Sequence, residues 1–141
     1  MIDTGSTRLE ARLKREITGD DFFTGMFETA LEPSEIITAV RFPKVAQANY
    51  QKFRNPASRY AIVGVFVART VSGVRVAVTG AGPCVFRIPE MEAALAASFM
   101  PDAIKGIAIP DDGLNSDIHA SAEYRAHLVG VMARRAVAAC I

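Results

Sequence analysis

The most constraining feature of the sequence is an apolar run that a short turn folds back on itself. Residues 61–70 read Ala-Ile-Val-Gly-Val-Phe-Val-Ala-Arg-Thr, and residues 74–79 read Val-Arg-Val-Ala-Val-Thr. β-Branched and aromatic side chains suit a packed, pleated surface, and Gly73 in the connection accepts the positive φ that a tight turn requires. In the second run valine alternates with polar or small residues, which gives the strand one apolar face. The pattern therefore predicts an antiparallel hairpin at the centre of the fold.

Two further strands are predicted ahead of this hairpin. In residues 49–53, Tyr50 and Lys52 fall on one side of an extended chain and the intervening residues on the other. Residues 35–42 carry apolar side chains at intervals, and the proline that follows ends the segment because it cannot donate to a sheet ladder. Residues 6–17 fit a weakly alternating strand or a helix, so their conformation stays open.

The carboxy-terminal half changes to helical signals. Pro89 suits the first turn of a helix, and Pro101 suits the start of a shorter one. Ser121 is a candidate N-cap for the last helix, in which apolar residues recur at helical spacing up to Cys140. Strands followed by helices indicate an α+β fold, in which helices pack on one face of a small antiparallel sheet.

Composition excludes several classes of protein. The chain has 141 residues, of which 50% are hydrophobic and 22% are charged, so it has the core of one globular domain and not the composition of a disordered chain. Its 16 Lys and Arg residues nearly balance its 15 Asp and Glu residues, which argues against a nucleic-acid partner. No apolar run reaches the roughly 18 residues of a membrane span, and the first residues lack a secretory signal, so we expect a cytoplasmic protein.

The chain's histidines are predicted to be structural and its loop aspartates to be solvated, and neither group is predicted to bind a metal. His119 and His127 have no carboxylate or cysteine neighbour at ligand spacing. Asp111, Asp112 and Asp117 form an acidic loop, but its glycine is misplaced for a calcium loop and no glutamate closes it. We therefore predict no metal site, and no serine lies in a motif that would make it a nucleophile.

The cysteines and a glycine pair are also interpreted structurally. Cys84 and Cys140 lie far apart in the sequence and are expected to be small, free, partly or fully buried side chains. Gly80-Ala81-Gly82 follows a predicted strand, but Pro83 removes an amide and the third glycine of a dinucleotide loop is missing. A turn that ends the strand is the preferred interpretation.

The junction ahead of the apolar run is the most promising place for a binding site. Asn55-Pro56 is a turn signal, and polar side chains at the entry to a rigid core strand are held in place yet face outward. Arg54 and Arg59 flank the turn and could meet an anion or could simply be solvated. Tyr60 fits a strand-end core tyrosine or a ring presented to a flat conjugated ligand, and composition and periodicity do not choose between these alternatives.

Several motifs in a fixed order resemble the C-terminal domain of the FAD-binding medium subunit of molybdenum hydroxylases, the carbon monoxide dehydrogenase and xanthine dehydrogenase family. The similarity extends from about Arg15 to the end of the chain. The motifs are Asp-Phe-Phe-Thr-Gly at 21–25, Thr-Ala-Leu-Glu-Pro-Ser-Glu-Ile-Ile at 29–37, Tyr-Gln-Lys-Phe at 50–53, Ser-Arg-Tyr-Ala-Ile-Val-Gly-Val at 58–65, Ser-Ala-Glu-Tyr-Arg-Ala-His-Leu at 121–128 and Ala-Arg-Arg-Ala-Val at 133–137.

The resemblance implies a fold and a role. It implies about three antiparallel strands backed by a three-helix bundle. It also implies an assembly in which a large subunit oxidises substrate at a molybdenum cofactor, a small subunit passes electrons through two 2Fe-2S clusters, and FAD hands them to an external acceptor. By the resemblance, Tyr60 covers one face of the flavin ring, and Lys52 and Arg59 lie near the flavin edge. No residue of this chain is expected to be catalytic, since the protein orients and tunes the cofactor.

The resemblance also sets the expected organisation of the chain. Residues 1–14 are expected to be a leading segment, the remnant of a preceding FAD-binding domain, and residues 15–141 form the domain itself. Either this chain is a fragment of a longer subunit that contains the FAD-binding domain, or it assembles with a separate FAD-binding half. The expected partners are that N-terminal FAD-binding domain, the iron–sulfur small subunit and the molybdenum large subunit. Alone, the chain is expected to lack FAD, because one stacking tyrosine does not replace phosphate anchors. The alternative is a non-catalytic interaction module that keeps the fold, binds no flavin and forms homo-oligomers when isolated.

Overall fold

The computed structural model describes residues 14–140. Its elements, in chain order, are α1 (Gly19–Phe22), β1 (Phe23–Gly25), β2 (Glu28–Thr29), β3 (Gln47–Arg54), β4 (Ala61–Thr70), β5 (Gly73–Thr79), β6 (Phe86–Arg87), α2 (Pro89–Ala97), a 3-10 helix (Pro101–Ile104) and α3 (Ala122–Ala138). The predicted α+β class is confirmed. None of the helices among these residues is long and apolar enough to cross a membrane.

The centre of the fold is a four-stranded antiparallel sheet in the order β3-β4-β5-β6. The predicted hairpin is confirmed as β4 and β5, with Val65 opposite Val78 and Val67 opposite Val76. The predicted strand at 49–53 is confirmed as part of β3, in which exposed and partly buried residues alternate along the whole strand. The short β6 adds a fourth strand to the three that the resemblance implies, because residues 86–87 pair with the end of β5.

One face of this sheet, here called the closed face, carries the core. Its six valines from β4 and β5 are all at most 5% exposed: Val63, Val65, Val67, Val74, Val76 and Val78. Helices α2 and α3 cover it, and the 3-10 helix packs on these two helices. Met91, Leu95, Ile104 and Met132 belong to the same buried cluster as the valines. Burial of this apolar surface is the main force that holds the layers together.

The ends of the helices follow the predicted signals. Pro89 occupies the first turn of α2, and Pro101 begins the 3-10 helix. Ser121 is the N-cap of α3, since its hydroxyl oxygen accepts a hydrogen bond from the Tyr124 N–H at 3.2 Å. The cap satisfies an amide that the first turn of a helix leaves without a partner, so the start of α3 is fixed by sequence.

A buried glutamate closes the far edge of the sheet. Glu92 of α2 is 7% exposed and accepts a hydrogen bond from the backbone N–H of Val76 in β5 at 2.9 Å. Arg87 also donates two hydrogen bonds to this carboxylate, and it forms an ion pair with Asp20 at 2.6 Å. The network therefore satisfies a strand amide that β6 is too short to reach, and it ties α1 to the sheet.

The segment ahead of β3 differs from the prediction. Strands β1 and β2 form a separate two-stranded hairpin, and Arg15 pairs with Glu35 at 2.7 Å. The strand predicted at 35–42 is wrong: these residues lie in no strand, and Ile36 and Phe42 are 81% and 85% exposed. The apolar pattern is there, but within residues 14–140 no neighbouring strand pairs with it. Of the ambiguous segment at 6–17, residues 6–13 lie outside the described residues and residues 14–17 are in neither helix nor strand.

Candidate functional site

The turn between β3 and β4, residues 55–60, is built around one buried amide side chain. Asn55 is 8% exposed, and its Oδ1 accepts hydrogen bonds from the N–H groups of Ala57 at 2.9 Å and Ser58 at 3.2 Å. The backbone closes the turn, since the Asn55 N–H donates to the Tyr60 carbonyl at 2.8 Å and the Arg59 N–H donates to the Asn55 carbonyl at 3.0 Å. An asparagine that bonds its own following amides is the usual way to fix such a turn.

The three residues predicted near the flavin lie together at this turn. Tyr60 is 79% exposed, so its ring stands free of the core. Arg59 has a φ of +61°, a left-handed conformation that costs a non-glycine residue roughly 1–2 kcal/mol. Lys52 Nζ donates to the Arg59 carbonyl at 3.3 Å across the turn. Strain of this kind collects where the surrounding structure holds a functional backbone in place.

The outer face of the sheet, here called the open face, continues from this turn. Tyr50 and Phe66 are paired neighbours on β3 and β4 and remain 44% and 41% exposed. The Tyr50 hydroxyl lies over Gly64 and is 3.4 Å from Thr79 Oγ1. A Cβ at Gly64 would lie 2.1 Å from the Tyr50 hydroxyl oxygen, so glycine is what allows the ring to lie flat on the sheet. Lys52, opposite Gly64, joins this aromatic surface to the turn.

A small polar cleft of about 230 Å³ lies behind Tyr60. It is bounded by the turn, by Gly80 after β5, and by the loop that precedes α3. One residue that lines this cleft was not predicted: Arg125 of α3, which is only 4% exposed. Sequence reasoning missed this arginine, although it lies one turn ahead of the buried Leu128 and Val129 in the apolar stripe of the helix. A charged residue in such a stripe signals a buried polar network, because a buried charge needs partners.

The Arg125 guanidinium binds three segments of the chain. It donates to the carbonyl of Ile62 in β4 at 2.7 Å and to the carbonyl of Gly80 at 3.0 Å. It also forms an ion pair with the carboxylate of Asp117 at 2.7 Å. The planar fork of arginine is suited to contacts in several directions at once, which a lysine ammonium does not reproduce.

Asp117, predicted to be a solvated loop residue, is part of this network. Its Oδ1 accepts hydrogen bonds from the N–H groups of His119 at 2.9 Å and Ala120 at 3.1 Å. These hydrogen bonds, with the neighbouring charge of Arg125, lower the pKa of the Asp117 carboxyl below its ordinary value. The carboxylate therefore stays ionised and holds the loop against α3.

The remaining candidates are two exposed histidines, two partly buried cysteines and one strand-ending turn. His119 and His127 are exposed, and residues 14–140 contain no group of three or more His, Cys, Asp or Glu side chains that could hold a metal ion. Cys84 and Cys140 are free and partly buried. Gly80 has a φ of +77° in the turn that ends β5, as predicted for a strand-ending turn. A second, more apolar cleft of about 530 Å³ lies near β6, lined partly by Phe86, Ile109 and Leu114.

Comparison with models of protein families identifies the family of this domain. Residues 48–140 match the model of the CO dehydrogenase flavoprotein C-terminal domain. The chain belongs to this family. The matched region begins in β3 and includes the rest of the four-stranded sheet, α2, the 3-10 helix, α3 and the turn at Tyr60, so the family assignment covers the whole candidate site.

Two curated relatives are similar over most of the chain. The nicotine 6-hydroxylase medium subunit of Paenarthrobacter nicotinovorans is 34% identical over 89% of this chain and 48% of that protein. The carbon monoxide dehydrogenase medium chain of Hydrogenophaga pseudoflava is 29% identical over 88% of this chain and 47% of that protein. The chain therefore spans about half the length of these relatives.

A solved structure shows the same fold. The Cu,Mo-CO dehydrogenase in its cyanide-inactivated form contains a chain that superposes with a TM-score of 0.69 and 27% identity. The superposition covers 86% of this chain and 46% of that chain. The predicted resemblance of this sequence to the C-terminal domain of FAD-binding medium subunits is confirmed.

Proposed function

We propose that this chain covers the flavin and docks the partner subunits within the medium subunit of a molybdenum hydroxylase. Substrate is oxidised elsewhere in the assembly, and electrons reach an external acceptor through iron–sulfur clusters and FAD. The residues of this chain bind and orient the flavin and exclude water from one of its faces. The proposed assembly is cytoplasmic.

The exposed ring of Tyr60 on a rigid turn is the observation that carries the proposal. A tyrosine that is 79% exposed gains little from folding, yet the chain fixes it between a buried asparagine and a core strand. Aromatic rings gain roughly 0.5–1.5 kcal/mol from stacking beyond their burial, which is enough to orient a flat conjugated ring system. In this proposal Tyr60 covers one face of the flavin, and Lys52 and Arg59 lie at its edge.

The described residues fit the ring of FAD and not its pyrophosphate. Flavin supplies the electron transfer when it is bound. A pyrophosphate is commonly held by a glycine-rich loop at the start of a helix. Here Gly80 and Gly82 lead through Pro83 into β6, and no helix begins at that turn. We therefore propose that an FAD-binding half beyond these residues, on the same chain or on another, supplies the phosphate anchors.

Exposed apolar residues ahead of β3 support docking to that half. Phe27 is 101% exposed with a φ of +60°, and Ile36, Val40 and Phe42 are each more than 60% exposed. Several large apolar side chains exposed within one short segment are more than a globular domain usually leaves uncovered, and we propose that a partner covers them. The segment lies ahead of the matched family region but within the part that the relatives share, which is consistent with a contact to the FAD-binding half. The iron–sulfur small subunit and the molybdenum large subunit are the further partners in the proposal.

The proposal is tested by reconstitution with a flavin-binding half. The chain is co-expressed with the amino-terminal half of the Paenarthrobacter medium subunit, and bound FAD is measured by absorbance after purification. We expect the isolated chain to be colourless and the complex to carry FAD. Tyr60→Ala should raise the FAD dissociation constant about tenfold, whereas Tyr60→Phe, which keeps the ring, should bind normally. Equal FAD affinity and reduction rate in the wild type and Tyr60→Ala would refute the role of Tyr60.

A second candidate function is an interaction module that forms homo-oligomers and binds no flavin. The same exposed residues, Phe27, Ile36 and Phe42, favour it, because self-association would also bury them. Light scattering with a flavin titration separates the candidates. An oligomer that the FAD-binding half does not convert into a flavin-bound complex would favour the module, and conversion would favour the flavin-covering domain.

A further inference from the structure

We propose that Arg125 is a positioning residue that fixes the backbone where β4 begins, directly after the flavin-facing turn, and where β5 ends beside it, and so sets the place of the Tyr60 ring. This inference rests on the proposed function. Arg125 lies on α3 and need not touch the flavin. It acts through Ile62, two residues after Tyr60, and through Gly80, which lies beside the start of β4.

Gly80 brings the two strands close enough for one guanidinium to hold both. Its φ of +77° turns the chain at the end of β5, and a Cβ there would lie only 2.4 Å from the carbonyl oxygen of Ala61. The backbone at Gly80 therefore approaches the residue that follows Tyr60 as closely as glycine allows. The Gly80 and Ile62 carbonyls then both point at Nη1 of Arg125.

Neighbouring side chains complete a frame around the same turn. Asn115 donates to the Gly82 carbonyl at 2.8 Å, and its own N–H donates to the Ala81 carbonyl at 2.8 Å. Asp117 fixes the other side of the Arg125 guanidinium at 2.7 Å. The entry to β4, the exit from β5 and the loop before α3 are thus joined at one buried charge, which lines the cleft behind Tyr60.

Simple stabilisation does not account for a charge at this position. Replacing a buried ion pair with apolar residues of similar volume is often neutral or stabilising, so the core alone does not require an arginine. A fork with several donors instead defines a unique backbone geometry for the carbonyls it binds. That geometry lies two residues from an exposed ring whose position matters only for a ligand.

Hydrogen exchange on the isolated chain tests the positioning directly, without flavin. The variant Arg125→Lys keeps the charge and loses the fork, and Arg135→Lys, an exposed arginine on the same helix, is the matched control. We expect exchange of the Ala57, Ser58 and Arg59 amides to be about tenfold faster in Arg125→Lys, the effect of weakening one hydrogen bond to a charged group. Amides of α2 should be unchanged. No change at the turn, or an equal change in α2, would overturn the inference.

The flavin-loaded complex tests the consequence for the ring. In that complex Arg125→Lys should raise the rate of FAD dissociation and change the flavin absorbance spectrum, whereas Arg135→Lys should do neither. Local loosening of the turn with an unchanged flavin spectrum and dissociation rate would overturn the positioning role. If the wild-type complex binds no FAD, the proposed function fails, and the exchange result still decides whether Arg125 fixes the turn.

A milder variant covers the case in which Arg125→Lys does not fold. Asp117→Asn removes the ion pair but keeps an oxygen that can accept the loop hydrogen bonds, and the side chain is 46% exposed. We expect a smaller increase in exchange at the same three amides, about threefold, because the arginine keeps its carbonyl partners. Unchanged exchange in a folded Asp117→Asn protein would count against the frame around Arg125.

Discussion

The two faces of the central sheet are made by the same strands but differ in how far their side chains are buried. On β4, Val65 is fully buried on the closed face, and its neighbour Phe66 remains 41% exposed on the open face. An ordinary half-solvated strand would alternate apolar and polar residues, but β4 is apolar on both faces. Folding of this chain therefore buries one apolar face and leaves Tyr50 and Phe66 on the other partly exposed.

The closed face stabilises the domain, whereas the open face exposes aromatic side chains that a partner or a cofactor can contact. The closed face is covered by α2 and α3, so its contacts contribute most of the free energy of unfolding. The open face carries Tyr50 and Phe66 and leads to Tyr60, whose burial requires a partner or a cofactor. Strands buried on both faces read as continuous apolar runs, and on that ground we extend the proposed docking surface from the segment ahead of β3 to the open face.

Truncation of two adjacent residues of β4, one on each face, should have very different effects on stability. Val65→Ala should lower the free energy of unfolding by about 2–3 kcal/mol, because a fully buried side chain is truncated on the closed face. Phe66→Ala removes more atoms but should cost only about 1 kcal/mol, because its side chain is half exposed. Urea unfolding of both variants, monitored by circular dichroism, measures the difference.

In the complex with an FAD-binding half, the order of the two variants should reverse. Phe66→Ala should weaken association more than Val65→Ala, since only Phe66 lies on the surface proposed to be covered. Calorimetric titration of the two halves gives both affinities. Equal affinities would show that the open face is not the docking surface.

A medium effect is expected at the charged edge of the closed face. Glu92→Gln should lower stability at neutral pH by about 1–2 kcal/mol, because a buried carboxylate that accepts from Arg87 and from the Val76 N–H becomes a neutral amide. Burial raises the pKa of Glu92, but the hydrogen bonds from Arg87 and Val76 outweigh it and leave that pKa below its ordinary value.

The sign of this pKa shift gives a pH dependence. A carboxyl with a lowered pKa in the folded state stabilises the fold fully above the unfolded pKa of about 4.3 and loses that contribution as pH falls through the folded pKa. The stability difference between wild type and Glu92→Gln should therefore shrink as pH falls below about 4. Glu90→Gln, an exposed glutamate in the same helical turn, is the control. A difference that stays constant down to pH 2.5 would refute the assignment.

The parts of the fold that the sequence predicts are those set by neighbours along the chain. Alternating valines specify β5, Gly73 allows its turn, and the Ser121 cap with its apolar stripe specifies α3. The strand predicted at 35–42 failed because a strand needs a partner, and local pattern does not supply one. Strand pairing depends on contacts with parts of the chain that are distant in sequence, which a local pattern does not contain.

The candidate site is less predictable, since it joins residues that are far apart in the sequence. Tyr60 was singled out through a family resemblance, because its exposure and its rigid turn are properties of the folded chain. The contacts of Arg125 with Ile62 and Gly80 span 63 and 45 residues, so no local pattern shows them. The only sequence signal was a charge within an apolar helical stripe, and that signal does not identify the partners.

On the open face, a methyl group added at Gly64 should have the smallest effect on the free energy of unfolding. In Gly64→Ala the new methyl group would meet the Tyr50 hydroxyl oxygen at 2.1 Å and Thr79 Oγ1 at 2.8 Å, so the Tyr50 ring must move off the sheet. Alanine restricts the unfolded chain more than glycine, which offsets part of this cost by about 0.4–1 kcal/mol. We therefore expect a net loss of stability of less than about 1 kcal/mol, measured by urea unfolding, but weaker association with the FAD-binding half.

A double-mutant cycle with Tyr50→Ala distinguishes this displacement from a general weakening of the strand. Once the Tyr50 ring is gone, most of the obstruction above Gly64 is gone as well, so the two substitutions should be coupled rather than additive. In both unfolding and association, Gly64→Ala should therefore cost less free energy in the Tyr50→Ala background than in the wild type. Additive effects in both would mean that Tyr50 does not lie over Gly64 in solution, and the flat aromatic surface on the open face would then lose its structural basis.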